Sequence, residues 1–192
     1  MKIYLVDTNP DMIVAWQKQF YDETDIEAVH LDFEQFMEKY TVDCVVSPAN
    51  SFGFMDGGYD EAIISYFGDE LQEKVLRYIK DNYFGEQPVG TSFIINTNVK
   101  GIKLIHTPTM RIPEKIYDDA IIYACTRSCL ITAEHNGVNS IVLPAFGGGT
   151  GHISTETIAE IMYKAWVNFK NPPEKTDWIY AAESHFRKTE IL

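Results

Sequence analysis

Asn50, Asp56, Asp60 and the Gly57-Gly58 pair fall within one short stretch, Val45 to Ile64, and together they suggest sugar contacts beside a held anion. An asparagine amide both donates and accepts, which suits a pair of sugar hydroxyls. Glycines let backbone come close to a ligand, and a helix starting beyond them presents unpaired N–H groups to an anion. The apolar run before this stretch stops at Pro48, Asn50 and Ser51. A loop with Gly53, Gly57 and Gly58 follows, and the next helix opens at Tyr59 or Asp60. No Lys or Arg stands between Thr41 and Glu73. A phosphate held here therefore meets backbone amides and a helix terminus.

A counterpart lies in Ser140 to Thr155. Pro144 ends a second apolar run, Ala145 and Phe146 follow, and Gly147, Gly148, Gly149, Thr150 and Gly151 lead to a helix opening near Ser154. From Ser128 through Tyr163 there is again no Lys or Arg. Two such loops at strand ends can sandwich a diphosphate. The second loop lacks the Lys-Ser/Thr ending of a P-loop. Reading Gly147 and Gly149 as G-x-G puts His152 where a dinucleotide fingerprint needs glycine, and the run falls too late in the chain for that motif. A tight strand–helix turn accounts for some of these glycines; their density points to anion contact.

Other polar residues have structural readings of their own. By position Asp60 suits a helix cap, and Asp32 follows an apolar strand as an N-cap does. His106 and His152 lie at strand or loop ends, and a metal needs more convergent ligands than these two. Neither a metal nor a cofactor is expected. Arg111 is either a buried structural cation or a phosphate contact. Cys44, Cys125 and Cys129 lack metal-site spacing and read as buried thiols in a reducing cytosol.

The elements that must position these groups alternate. Lys2 to Asp7 reads as a strand, the segment from Asn9 to Tyr21 as a helix, Ile26 to Leu31 as a strand, Asp32 to Tyr40 as a helix and Val42 to Val46 as a central strand. Beyond the first loop the spacing predicts an amphipathic helix over Gly68 to Tyr83, strands at Val89 to Thr97 and Lys103 to Thr107, and a long helix from Ile116 to Asn136. Ser140 to Leu143 is the next strand, Thr155 to Phe169 the next helix and Trp178 to Ala182 the last strand. Such alternation implies an α/β protein whose sheet is covered on both faces.

One domain, residues 1–192, with a substantial core is expected at this length. The formal charge of −12 argues against a nucleic-acid backbone as partner, although solubility alone accounts for it, and it leaves room for a small phosphorylated ligand. No apolar run is long enough to span a bilayer, and the amino terminus lacks the features of a secretory signal. A cytoplasmic protein without membrane contact is therefore expected.

The two loops resemble those of the macro domain family. Asn50 with Gly57-Gly58-Tyr59-Asp60-Glu61-Ala62-Ile63 is similar to its NAAN and GGGVDGAI segments, and Pro144-Ala145 followed by glycines is similar to its second loop. Ile105 to Pro113 is similar to a segment of a phage-type branch. The resemblance implies a three-layer α/β/α fold with a central mixed sheet, and a ligand that is ADP-ribose or a derivative. It implies that Asp32 meets the adenine amino group, that Asn50 orients the distal ribose, and that Asp60 positions water at the anomeric carbon. Phe186 or His185 would be the stacking partner of adenine. Tyr59 stands in place of the usual Val and Asp56 in place of the usual Gly. The implied activity is hydrolysis of an ADP-ribosyl, O-acyl or 1″-phosphate linkage at the distal ribose. Two other readings stay open: a non-catalytic binder, either a reader of ADP-ribosylated partners or a phage-type sponge for an NAD-derived nucleotide, and a doubly wound domain for some other nucleotide.

Overall fold

The computed structural model describes residues 1–184. Strands β1 (Lys2–Asp7), β2 (Ile26–His30), β3 (Cys44–Ser47), β4 (Phe93–Asn96), β5 (Lys103–His106) and β6 (Ser140–Leu143) form one sheet in the order β2-β1-β6-β3-β5-β4. Neighbours are parallel except β4 and β5, so the sheet is mixed. Helices α1 (Pro10–Gln19), α5 (Ala120–His135) and α6 (Thr155–Lys170) cover one face, while α2 (Phe33–Lys39), α3 (Gly58–Phe67) and α4 (Glu70–Tyr83) cover the other. This is the expected three-layer α/β/α arrangement.

Strand pleating explains the two cores. In β3 every residue is buried: Val45 joins Leu104, Val142, Phe36 and Ile63 on one face, and Cys44 and Val46 join Ile105, Ile141 and Trp16 on the other. Pro48 has no N–H for the ladder and ends β3 at the loop. Asn9 caps α1, accepting from the Asp11 N–H at 3.0 Å, with Pro10 in the first turn. No helix among the described residues is long and apolar enough to cross a membrane.

Four expected boundaries are corrected. Trp178–Glu183 is a short helix, α7, and not a sheet strand. The Asp177 carboxylate accepts from the Tyr180 N–H at 3.0 Å, and this cap outweighs the aromatic and β-branched run that reads as a strand. The long helix begins at Ala120, whose N–H donates to the Asp118 carboxylate at 3.1 Å, and Ile116 instead donates its N–H to the Gly151 carbonyl at 3.1 Å. Gly68, with φ 88°, separates α3 from α4, so α4 starts at Glu70. The strand expected from Val89 starts at Phe93, since Pro88 to Thr91 forms a turn closed by the Thr91 N–H on the Pro88 carbonyl.

Candidate functional site

A cleft of about 1020 Å³ runs across the carboxyl ends of five strands. Asp32 lines it beyond β2, Asp7 at the end of β1, the second glycine loop beyond β6, Asn50 beyond β3, and Met110 beyond β5. Its volume matches the upper range of small-molecule sites. The first turn of α3 supplies another wall, with Gly57, Gly58, Tyr59 and Asp60.

The free hydrogen-bond donors along the cleft include backbone groups on two sides. Gly57 occupies the N-cap of α3 and provides no side chain, so the first-turn N–H groups of that helix stay uncapped. Opposite, Gly148 donates to Ala145, His152 to Gly149 and Ile153 to Gly147, whereas the N–H groups of Gly149, Thr150 and Gly151 have no acceptor among the described residues. Gly147 adopts φ 81°, a left-handed conformation that lets the chain turn after β6 into this loop. The side chains add no positive charge. Asp7, Asp11, Asp32, Asp56, Asp60 and Glu156 line the cleft, and among the described residues no Lys, Arg or His does.

Asp60 is the most perturbed acid here. Only 8% of it is exposed, and burial pushes its carboxyl up to about 7. One oxygen accepts the Ser47 hydroxyl at 2.5 Å, a bond that works in the opposite sense by favouring the ionised form. Asp60 therefore does not cap α3; its side chain is turned toward β3. Asp32, in contrast, does cap α2, accepting from the Gln35 N–H at 2.8 Å, while still lining the cleft.

Asn50 is largely occupied within its own loop. Its Oδ1 accepts from Phe52 and Phe54 N–H groups at 3.1 and 3.3 Å, and its Nδ2 donates to the Phe54 carbonyl at 2.7 Å. The amide thus shapes the loop and keeps one N–H, not an acceptor, for a ligand.

Several residues expected near a ligand lie elsewhere. The Phe146 side chain is fully buried in the core with Ile122 and Ile158, because the turn after Ala145 points it beneath the loop. Arg111 is neither buried nor in the cleft: its guanidinium grips Glu86 at 2.8 and 3.0 Å and lies 4.9 Å over the Phe52 ring. His106 is fully buried, stacked on Phe93, and donates from Nδ1 to Gln87 Oε1 at 2.6 Å. Burial lowers its pKa to about 3, so it stays neutral. His152 does not line the cleft. The three cysteines are buried, and burial pushes the Cys44 thiol up to about 12, far from a nucleophilic thiolate. Phe186 and His185 lie outside the described residues.

Other lining residues were missed from the sequence. Asp7 at the β1 end and Phe33 in α2, whose ring packs edge-on against Tyr59 at 5.4 Å, flank Asp32. A signal for Asp7 existed, since ligands of parallel sheets gather at strand carboxyl ends. Phe33 offered none beyond its helical spacing.

The family model of the Macro domain matches residues 46–162, and the chain belongs to that family. It is 33% identical over 131 residues to the O-acetyl-ADP-ribose deacetylase of Escherichia fergusonii, covering 67% of this chain and 72% of that protein. Among solved structures it resembles the Oceanobacillus iheyensis macrodomain with ADP, at TM-score 0.61 and 22% identity over 69% of this chain and 73% of that one. The macrodomain of Mycobacterium tuberculosis DarG superposes with TM-score 0.58 and 20% identity, over 68% of this chain and 84% of that one. The matched segment holds both loops and α3; the β1–α1–β2 unit that supplies Asp7 precedes it.

Proposed function

We propose that this chain binds ADP-ribose or a derivative and hydrolyses a linkage at its distal ribose. The observation that carries this reading is the pair of backbone walls, the uncapped α3 terminus and the unpaired amides of Gly149 to Gly151, facing one cleft. The diphosphate lies between them. The adenine end falls beside Asp32, Asp7 and Phe33, and the distal ribose falls beside Asn50 and Asp60. Ionised Asp60 takes a proton from water, the water oxygen bonds to the anomeric or acyl carbon, and the bond from that carbon to the leaving oxygen breaks as Asp60 passes its proton to that oxygen, which leaves Asp60 ionised again. Positioning and general-base assistance supply the rate. The deacetylase activity named for the Escherichia fergusonii relative supports a hydrolytic role.

One observation favours a non-catalytic binder as the second reading. The carbonyl oxygen of Asn50 is spent inside its own loop, which leaves the distal ribose with fewer anchors. Turnover of labelled substrates separates the two, with an ADP-ribosylated protein and an acylated ADP-ribose as candidates.

Binding itself is tested by calorimetry and thermal unfolding against ADP-ribose, ADP, AMP and NAD. ADP-ribose should raise the melting temperature most, because both walls and the distal pocket are then filled. The gain reaches about 2.7 kcal/mol at a hundredfold excess over the dissociation constant. An equal shift with AMP removes the ADP-ribose assignment.

A further inference from the structure

Asp60 reaches the cleft from a buried position, and what holds it there is a residue outside the two loops. Ser47 is the last residue of β3 and is fully buried. Pleating sends its side chain to the same face as Val45, toward α3, and its carbonyl is fixed by the Thr107 N–H at 2.9 Å. Its hydroxyl donates to Asp60 Oδ1 at 2.5 Å across thirteen positions of sequence, and no other residue among those described bonds the Asp60 carboxyl. Oδ2 is thus the oxygen left to meet the cleft, which Asp60 lines. Around the pair, α2 and α4 present Phe33, Phe36, Leu71 and Val75, and none of these brings charge. The titratable groups nearby are Tyr59 on α3, Asp7, Asp32 and Asp56 on the cleft wall, and His106, which neighbours Ser47 in the sheet register and is neutral. Among the described residues no cation is placed to hold the carboxylate.

We propose that Ser47 is the positioning residue for Asp60: its hydroxyl anchors Oδ1, fixes the carboxyl rotamer and leaves Oδ2 to receive the proton of the attacking water. This rests on the hydrolytic reading of the cleft. A rigid strand end thereby sets the aim of a residue carried on a helix, and the bond also stabilises the ionised carboxylate that accepts the proton.

The test compares the parent with Ser47→Ala and Ser47→Thr. The Asp60 carboxyl is titrated by carbon NMR, and kcat/KM is measured against pH, with ADP-ribose affinity read by calorimetry on the same samples. In Ser47→Ala the Asp60 midpoint should rise by about one pH unit, the scale of a lost hydrogen bond to a charged group. The acidic limb of the rate profile should move with it, and affinity should stay within a few fold. Ser47→Thr keeps the hydroxyl and should restore both. A midpoint and rate profile unmoved in Ser47→Ala overturn the proposal. If the parent turns over no substrate, the hydrolytic reading falls and the titration alone decides the pair: a raised midpoint sustains the anchoring, and an unmoved one overturns it.

Discussion

Asp60→Asn should slow hydrolysis by roughly a hundredfold or more while leaving ADP-ribose affinity within a few fold. The amide keeps the volume of the carboxyl and an acceptor for the Ser47 hydroxyl, so binding geometry survives while the proton acceptor is lost. The same substitution should alter stability with a definite sign. The Asp60 carboxyl titrates near 3.8 in the unfolded chain and at about 7 in the folded one. A raised folded value means its contribution is fully present below the unfolded value and is lost as pH rises through the folded value. The neutral amide does not titrate. Above pH 7 the variant should therefore be the more stable protein, by roughly 2–4 kcal/mol, and the difference should shrink toward pH 4. His106 acts in the opposite sense, because its folded value is lowered from 6.5 to about 3, so stability falls as pH drops below 6.5. Melting curves must be compared as parent minus variant at each pH, which cancels that term. Unchanged turnover in the variant would move water activation elsewhere, to a phosphate of the substrate. A parent without turnover on either an ADP-ribosylated protein or an acylated ADP-ribose favours the binder.

Gly151→Ala should abolish ADP-ribose binding and lower the melting temperature together. A Cβ there would sit 2.7 Å from the Gly147 carbonyl oxygen, 2.7 Å from Ile116 Cδ1 and 3.0 Å from Gly147 Cα. Two of these contacts are backbone and cannot rotate away. Relief requires moving Gly147, whose carbonyl accepts from Ile153, or Ile116, whose N–H donates to Gly151. Either shift opens the second loop, at a cost of about 1–3 kcal/mol. Because that variant disturbs fold and site together, Gly149→Val is its companion. A Cβ at Gly149 meets nothing within 4 Å, so the fold should tolerate it. If phosphate lies against these amides, affinity should fall tenfold or more with melting unchanged. Gly148→Val is a poorer probe, since its Cβ would press on Ala145 at 3.2 Å. Normal ADP-ribose affinity in folded Gly149→Val reduces the loop to a turn.

The two loops were legible because their signals are local. Pro48 and Pro144 end strands, and glycines with a following helix mark the walls by chain chemistry alone. What depends on contacts between distant segments was not legible. Asp60 suits a cap by position, and only the approach of Ser47 from β3 shows where its carboxyl is held. Arg111 looked available until Glu86 was brought beside it by the turn after α4. Ile116 has good helical spacing, yet its N–H closes the second loop. Trp178 to Ala182 carries strand formers with no buried residue to reward pairing, so a single cap at Asp177 decides its conformation.

The charged groups that line the cleft among the described residues are all carboxylates, and this has a kinetic consequence. A diphosphate ligand is itself anionic, and it would approach a chain of formal charge −12 through a mouth that holds no cation among the described residues. Long-range steering then works against encounter, while the amide contacts that retain the ligand act only at short range. Added salt screens the first effect and hardly touches the second. Capture should accelerate as ionic strength rises, and release should stay nearly constant, so rapid-mixing traces at low and moderate salt would show affinity improving through the association rate alone.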